Sequence, residues 1–173
     1  MKKTITIALA TIFLASCSSE ESVNRETTAK QITGDQGEKR DFEKEYIKTA
    51  IETSLVLNES VDKLEILLND MDVTNPTWSV EVNQIALKIQ IECNSYTLAS
   101  DFLEENLEKK YEKTMKLYGE GVNEFHSIYS DITDAMEIYD KRKLEEIKLR
   151  LNPAIDLINK GTEQLEVERY TED

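Results

Sequence analysis

The chain has 173 residues, with 35 Asp and Glu against 21 Lys and Arg, for a formal charge of −14 at pH 7. A surplus of that size makes nucleic acid and anionic lipid head groups poor partners, because their phosphates repel a polyanion. Only two cysteines, Cys17 and Cys93, and one histidine, His126, are present, which leaves little for metal or redox chemistry.

The first element is a leader over residues 1–16. Lys2 and Lys3 precede an apolar run from Thr4 to Leu14, too short to span a bilayer, and Leu14-Ala15-Ser16-Cys17 closes it. Those last four residues resemble the lipobox of a bacterial lipoprotein signal peptide. The resemblance implies export, diacylglycerol attachment to the Cys17 thiol, cleavage ahead of Cys17, and acyl chains such as palmitate holding the new N-terminus in the membrane. An ordinary signal peptide that happens to contain a cysteine is the weaker reading, since Leu14, Ala15, Ser16 and Cys17 match at every position. A single acyl chain anchors a protein only marginally, whereas two or three chains, at about 0.8 kcal/mol per buried CH₂, anchor it durably. Losing residues 1–16 leaves one domain's worth of chain and, with Lys2 and Lys3 gone, moves the formal charge from −14 to −16. With Cys17 acylated, Cys93 has no partner for an internal disulfide.

Residues 17–39 begin with the lipidated cysteine and continue as a polar run that holds Gly34 and Gly37 and no apolar period. This composition predicts a disordered tether with a reach of roughly 25 Å. From residue 40 the pattern becomes helical and predicts a bundle over 40–173. Ile47, Ala50, Ser54, Leu57, Val61, Leu64, Leu68 and Met71 alternate in steps of three and four, which predicts a helix over about 40–72, with Leu55, Ile66 and Leu67 widening its stripe.

Thr77 is placed to cap a second helix over about 77–98, whose stripe runs through Trp78, Val82, Ile85, Ile89, Glu92, Tyr96, Ala99 and Leu103. This stripe does not join the next one, so a turn or sharp kink is expected between about Leu98 and Asn106. One long helix is the alternative, because no Gly or Pro marks the break. Tyr111, Met115, Tyr118, Val122, Phe125, Tyr129, Ile132, Met136 and Tyr139 predict a third helix over about 106–139. Asp140 then caps a fourth over about 141–169, where Pro153 lies off the seam and is expected to kink the helix. Four amphipathic helices with short connections imply an all-α, antiparallel up-down-up-down four-helix bundle.

Folding the chain back on itself gathers Ser54, Glu92, Gly119, Gly121 and Gly161 near mid-height. Glycine inside a helix costs roughly 0.5–1 kcal/mol relative to alanine, so a cluster of them asks for a reason. Close helix approach, with room for a neighbouring ring, is the favoured one. A cavity or flexible joint that admits a small ligand is the sharper alternative. The tyrosine stripe at 111, 118, 129 and 139 is read as core rather than as a carbohydrate or peptide platform.

No HExxH, GxSxG, CxxC or phosphate-loop pattern occurs. No catalytic residue, metal ligand or cofactor is therefore expected. Asp70 with Asp72, and Asp131 with Asp134, lack the spacing of a calcium loop, and Cys93 and His126 are the weak candidates of an enzymatic reading. The lipobox, the polar tether, Trp78 opening the second helix, the stretch LEKKYEKTMKLY from Leu107 to Tyr118 and the Asp140 to Leu165 segment together resemble the small surface lipoproteins of Gram-positive bacteria. The expectation is a chain held at the extracytoplasmic face of the membrane through lipid on Cys17, acting without catalysis by binding an envelope or surface protein. Its oligomeric state is left open, and a small-ligand binder is the second reading.

Overall fold

The computed structural model describes residues 41–170. The expectations for the leader at 1–16, the lipobox cysteine Cys17 and the tether at 17–39 lie outside the described residues. Five helices follow in order: α1 (Phe42–Asn69), α2 (Pro76–Asp101), α3 (Glu105–Lys110), α4 (Glu112–Glu137) and α5 (Lys141–Arg169).

Local chemistry starts three of the long helices. The Asp41 carboxylate accepts the Lys44 N–H at 3.1 Å ahead of α1, and Asp140 accepts the Lys143 N–H at 3.0 Å ahead of α5. Such caps satisfy backbone donors that have no partner inside the helix, and each is worth about 1 kcal/mol. At α2 the cap is Asn75, whose side-chain oxygen accepts the Thr77 N–H at 2.9 Å, not Thr77 as its sequence position suggested. The reason is Pro76: it lacks an N–H and has its φ preset for the first helical position, so the cap lies two residues earlier and the helix begins at Pro76.

The long helix expected over 106–139 is two helices. After the turn at 102–104, which falls inside the interval expected for a break, α3 makes under two turns and stops at Tyr111. Tyr111 is fully buried, its hydroxyl donates to Glu43 Oε1 at 2.6 Å and its ring packs 5.4 Å from that of Tyr46. These contacts to α1 hold the residue at φ −104°, ψ 21°, outside helical geometry, so α4 starts afresh at Glu112. No side chain of Tyr111 caps α4. Glu168, from the last turn of α5, reaches across instead and accepts the Thr114 N–H at 3.2 Å.

Four long helices pack as a ring of antiparallel neighbours. Trp78 Nε1 donates to the Leu67 carbonyl and Tyr46 meets Tyr96, joining α1 to α2. His126 with Gln90 and Tyr118 with Tyr96 join α4 to α2; Tyr118 with Thr162 and Arg150 with Asp131 join α4 to α5; Asn58 with Asn159 and Asn152 with Glu65 join α5 to α1. In each pair the numbers climb on one helix as they fall on the other, which is the up-down-up-down bundle. Its core is built on Leu57, Leu64, Leu68, Val82, Ile89, Phe125, Ile128, Ile132, Leu144, Ile147 and Ile158, all buried. Burying each such side chain contributes about 1.5–3 kcal/mol.

Several stripe positions differ from expectation. Leu55 and Ile66 point to solvent, opposite the seam they were expected to widen, and Tyr46 rather than its neighbour Ile47 is fully buried. Tyr139 is exposed and has a φ of 57°, because it belongs to the turn between α4 and α5 rather than to the end of a helix. Pro153 is exposed, and α5 runs on through it to Arg169.

Candidate interaction surface

Helix α2 is unlike its neighbours in charge. Its 26 residues include only Glu81, Lys88, Glu92 and Asp101 as charged side chains, in a chain of which 32% is charged. Trp78, Val82, Ala86, Ile89, Cys93 and Tyr96 are buried against the core. At 100° per residue, Val80, Leu87, Ile91 and Leu98 fall within about 40° of one another on the side facing directly away from that core. They are 53%, 49%, 52% and 59% exposed, and Phe102 at the C-cap extends their line. The result is an apolar ridge roughly 27 Å long at 1.5 Å per residue.

Grooves flank the ridge where α2 meets α1. One, of about 270 Å³, is lined by Phe42, Thr49, Leu98, Ala99 and Phe102, with Glu45 and Ser95 also on its wall. There the Phe42 and Phe102 rings stack with centroids 6.1 Å apart. At the other end Ile66, Leu67 and Ile85 line a groove of about 330 Å³, with Lys63 and Glu81 at its edge. Between the two grooves, Lys88 reaches Glu59 at 3.9 Å. An apolar centre with charges confined to the edge is the pattern of a protein-binding patch. Among the described residues, Leu55 on α1 and Leu149 on α5 are exposed apolar side chains set in charged stretches, and Ile138 with Tyr139 forms a smaller exposed pair at the turn between α4 and α5.

The opposite, buried side of α2 leads into a cluster of tyrosines at the end of the bundle where α1 begins. Tyr96 stacks on Tyr118 with ring centroids 4.5 Å apart, and the Tyr46 and Tyr96 hydroxyls lie 3.2 Å apart. Tyr118 donates to the Ala50 carbonyl at 2.7 Å and sits 2.8 Å from the Thr162 hydroxyl. Burial is the first cause pushing the hydroxyl pKa of Tyr46, Tyr96 and Tyr118 above the usual tyrosine range. At Glu43 the hydrogen bond from Tyr111, then that from Lys110, holds the carboxyl below its usual range. These bonds tie helices together and leave the hydroxyls protonated, so the cluster is a framework that fixes which face of α2 looks outward.

The residues expected to form a mid-height ligand level separate into different roles. Gly161 lies under the Tyr118 ring, and Gly121 lies against Ile158, so the room these glycines leave is filled by side chains. Gly119 faces open space, Ser54 is buried, and Glu92 is only partly buried. The core position assigned to Glu92 belongs to its neighbour Cys93, which is fully buried. Burial, helped by the charge of Glu92, pushes the Cys93 thiol up to about 12, far from a reactive thiolate at neutral pH. His126 Nδ1 lies 2.9 Å from the Gln90 side-chain oxygen. Of the acidic pairs, Asp131 is bound by Arg150 at 2.5 Å and Lys143 at 3.0 Å, and Asp134 by Lys143 at 3.3 Å. Arg150 is the first cause holding the Asp131 carboxyl below its usual range.

Sequence reasoning missed the ridge. Its signal was present, in Val80, Leu87, Ile91 and Leu98 at steps of seven, four and seven, but it ran parallel to the stronger stripe led by Trp78. Comparison with protein-family models, with curated proteins and with solved structures finds no match to this chain.

Proposed function

We propose that the chain is a lipid-anchored, extracytoplasmic binding module that docks a protein of the cell envelope or surface on the outer face of α2, without catalysis. The anchor is read from Lys2, Lys3, the apolar run and Leu14-Ala15-Ser16-Cys17; residues 18–39 serve as its tether. Among the described residues no helix is long and apolar enough to cross a membrane. The single observation that carries the docking role is the ridge Val80, Leu87, Ile91 and Leu98, half-exposed on the least charged helix of an acidic chain.

A protein fits that ridge better than a bilayer does. Helices that lie in the membrane interface carry Lys and Arg on their polar face, whereas α2 has one Lys against three acidic residues. Apolar side chains desolvated at the centre of a patch are also where protein interfaces concentrate their energy.

Two measurements test the reading. Incorporation of a palmitate analogue is expected in the wild-type chain and lost in Cys17→Ala; labelling of both, or of neither, contradicts the anchor. Cells crosslinked with a short bifunctional reagent are expected to yield a discrete complex that Ile91→Asp reduces at least tenfold, while Leu149→Asp on α5 leaves it intact. Equal capture by all three chains contradicts the docking face.

A further inference from the structure

We propose that the protein docked by α2 is a second copy of this chain, the two α2 helices packing antiparallel about a two-fold axis. The proposal rests on the reading of α2 as a docking face and adds the identity of the partner. Along the outward seam the residues are Val80, Gln84, Leu87, Ile91, Asn94 and Leu98, all exposed, in steps of four, three, four, three and four. Read from either end, the order of side-chain types is the same: apolar, amide, apolar, apolar, amide, apolar.

That symmetry is what a two-fold interface requires, since each contact must be made twice with the roles exchanged. An antiparallel pair centred between Leu87 and Ile91 sets Val80 against Leu98, Leu87 against Ile91 and Gln84 against Asn94. Every apolar side chain then meets an apolar one. Each amide meets an amide, which can both donate and accept. The same centre sets Pro76 against Phe102, the two ends of the helix with its cap, so neither end overhangs. A different partner protein would place no such constraint on the seam.

Charge favours this orientation over a parallel one. Two processed chains at −16 repel each other, and from Val80 to Leu98 the seam of α2 has no charged side chain along its line. Antiparallel packing sets Asp101 against Thr77 and places Glu81 beside Ser95, whereas parallel packing brings Asp101 onto Asp101. Lys88, beside the centre, lies on the same edge as Lys88 of the second copy, and Glu59 at 3.9 Å offsets the charge of each. One helix face on each side buries on the order of 1,000 Å², the lower limit for a specific interface, so the pair is expected to exchange with single copies.

The test uses the full chain in cells, carrying two different tags and paired cysteine substitutions. Val80→Cys on one copy and Leu98→Cys on the other are expected to form a disulfide under mild oxidation; Val80→Cys with itself is not, because those positions lie roughly 27 Å apart along the pair. Sedimentation of the purified chain should show a concentration-dependent dimer that the double variant Leu87→Asp, Ile91→Asp weakens at least tenfold. Helical circular dichroism of that variant should stay unchanged, since both positions face away from the core. Crosslinking of Val80→Cys to itself overturns the antiparallel register. A monomer at every concentration, with an Ile91-dependent complex to another protein still formed, overturns the second copy and leaves the docking face standing. Loss of both removes both. Binding of the wild-type chain to neutral phosphatidylcholine vesicles, abolished by Leu87→Asp, overturns the proposal in favour of a lipid surface.

Discussion

The ring of Tyr118 on α4 covers Gly161 on α5 so closely that a Cβ on Gly161 would lie 2.8 Å from ring atom Cε2. The same tyrosine donates its hydroxyl to the Ala50 carbonyl on α1 and stacks on Tyr96 of α2. One side chain thereby touches all four long helices, and Gly161 is small because that ring is there.

The glycines are therefore expected to respond in opposite directions to the same change. Gly161→Ala gains about 1 kcal/mol of helix propensity. It also drives a methyl into a buried ring, at a cost of typically 1–3 kcal/mol, and should be destabilising overall. Gly119→Ala meets nothing within 4 Å and should stabilise the fold by about 0.5–1 kcal/mol. Urea denaturation of the two variants checks the pair. Destabilisation by Gly119→Ala, or none by Gly161→Ala, contradicts the packing described.

Glu168 replaces a local cap at the start of α4, where Tyr111 supplies none. Glu168→Ala should lower stability by about 1 kcal/mol through the lost bond to Thr114 and the lost negative charge at the positive end of the helix. Glu168→Gln keeps an acceptor and should recover part of that loss. Hydrogen exchange at the first turn of α4 should rise in the alanine variant; unchanged protection there would show that the turn does not depend on α5.

Stability should fall in alkali in two stages. In the unfolded chain a thiol loses its proton near its ordinary value of 9, whereas Cys93 in the fold holds its proton up to about 12. Between those values the folded state binds one proton more than the unfolded state, so stability is full below about pH 9 and falls by about 1.4 kcal/mol per pH unit above it. From about pH 10 the buried Tyr46, Tyr96 and Tyr118 add to the slope in the same direction, because their pKa values are also raised. Cys93→Ala should remove the first stage and leave the second. Denaturation midpoints from pH 7 to 11 report this, and an onset near pH 9 that persists in Cys93→Ala contradicts it.

How much was legible in the sequence follows from what each residue depends on. Stripes such as Leu57, Val61, Leu64 and Leu68 are set by helix periodicity alone, so the four long helices and their antiparallel order could be read directly. The break at Tyr111 could not, because no Gly or Pro marks it; it is set by Glu43 and Tyr46, which are distant in sequence. The trans cap by Glu168 is hidden for the same reason. Helix α2 was harder still, since it is apolar on two opposite faces and periodicity alone does not say which face turns inward. Trp78 and Tyr96 decide it through the Leu67 carbonyl and the Tyr118 ring, leaving Val80, Leu87, Ile91 and Leu98 outside.

The most direct test of the outer face of α2 as the docking surface is photocrosslinking in living cells, with a photoreactive amino acid at Ile91 and, as controls, at Leu55 on α1 and Leu149 on α5. All three positions are exposed and apolar, so they differ chiefly in the surface around them. A discrete protein adduct from position 91, whether with a second copy or another envelope protein, and none of comparable yield from 55 or 149, is the predicted result. Equal yields from all three positions, or adducts from 55 or 149 alone, would contradict a docking surface on α2.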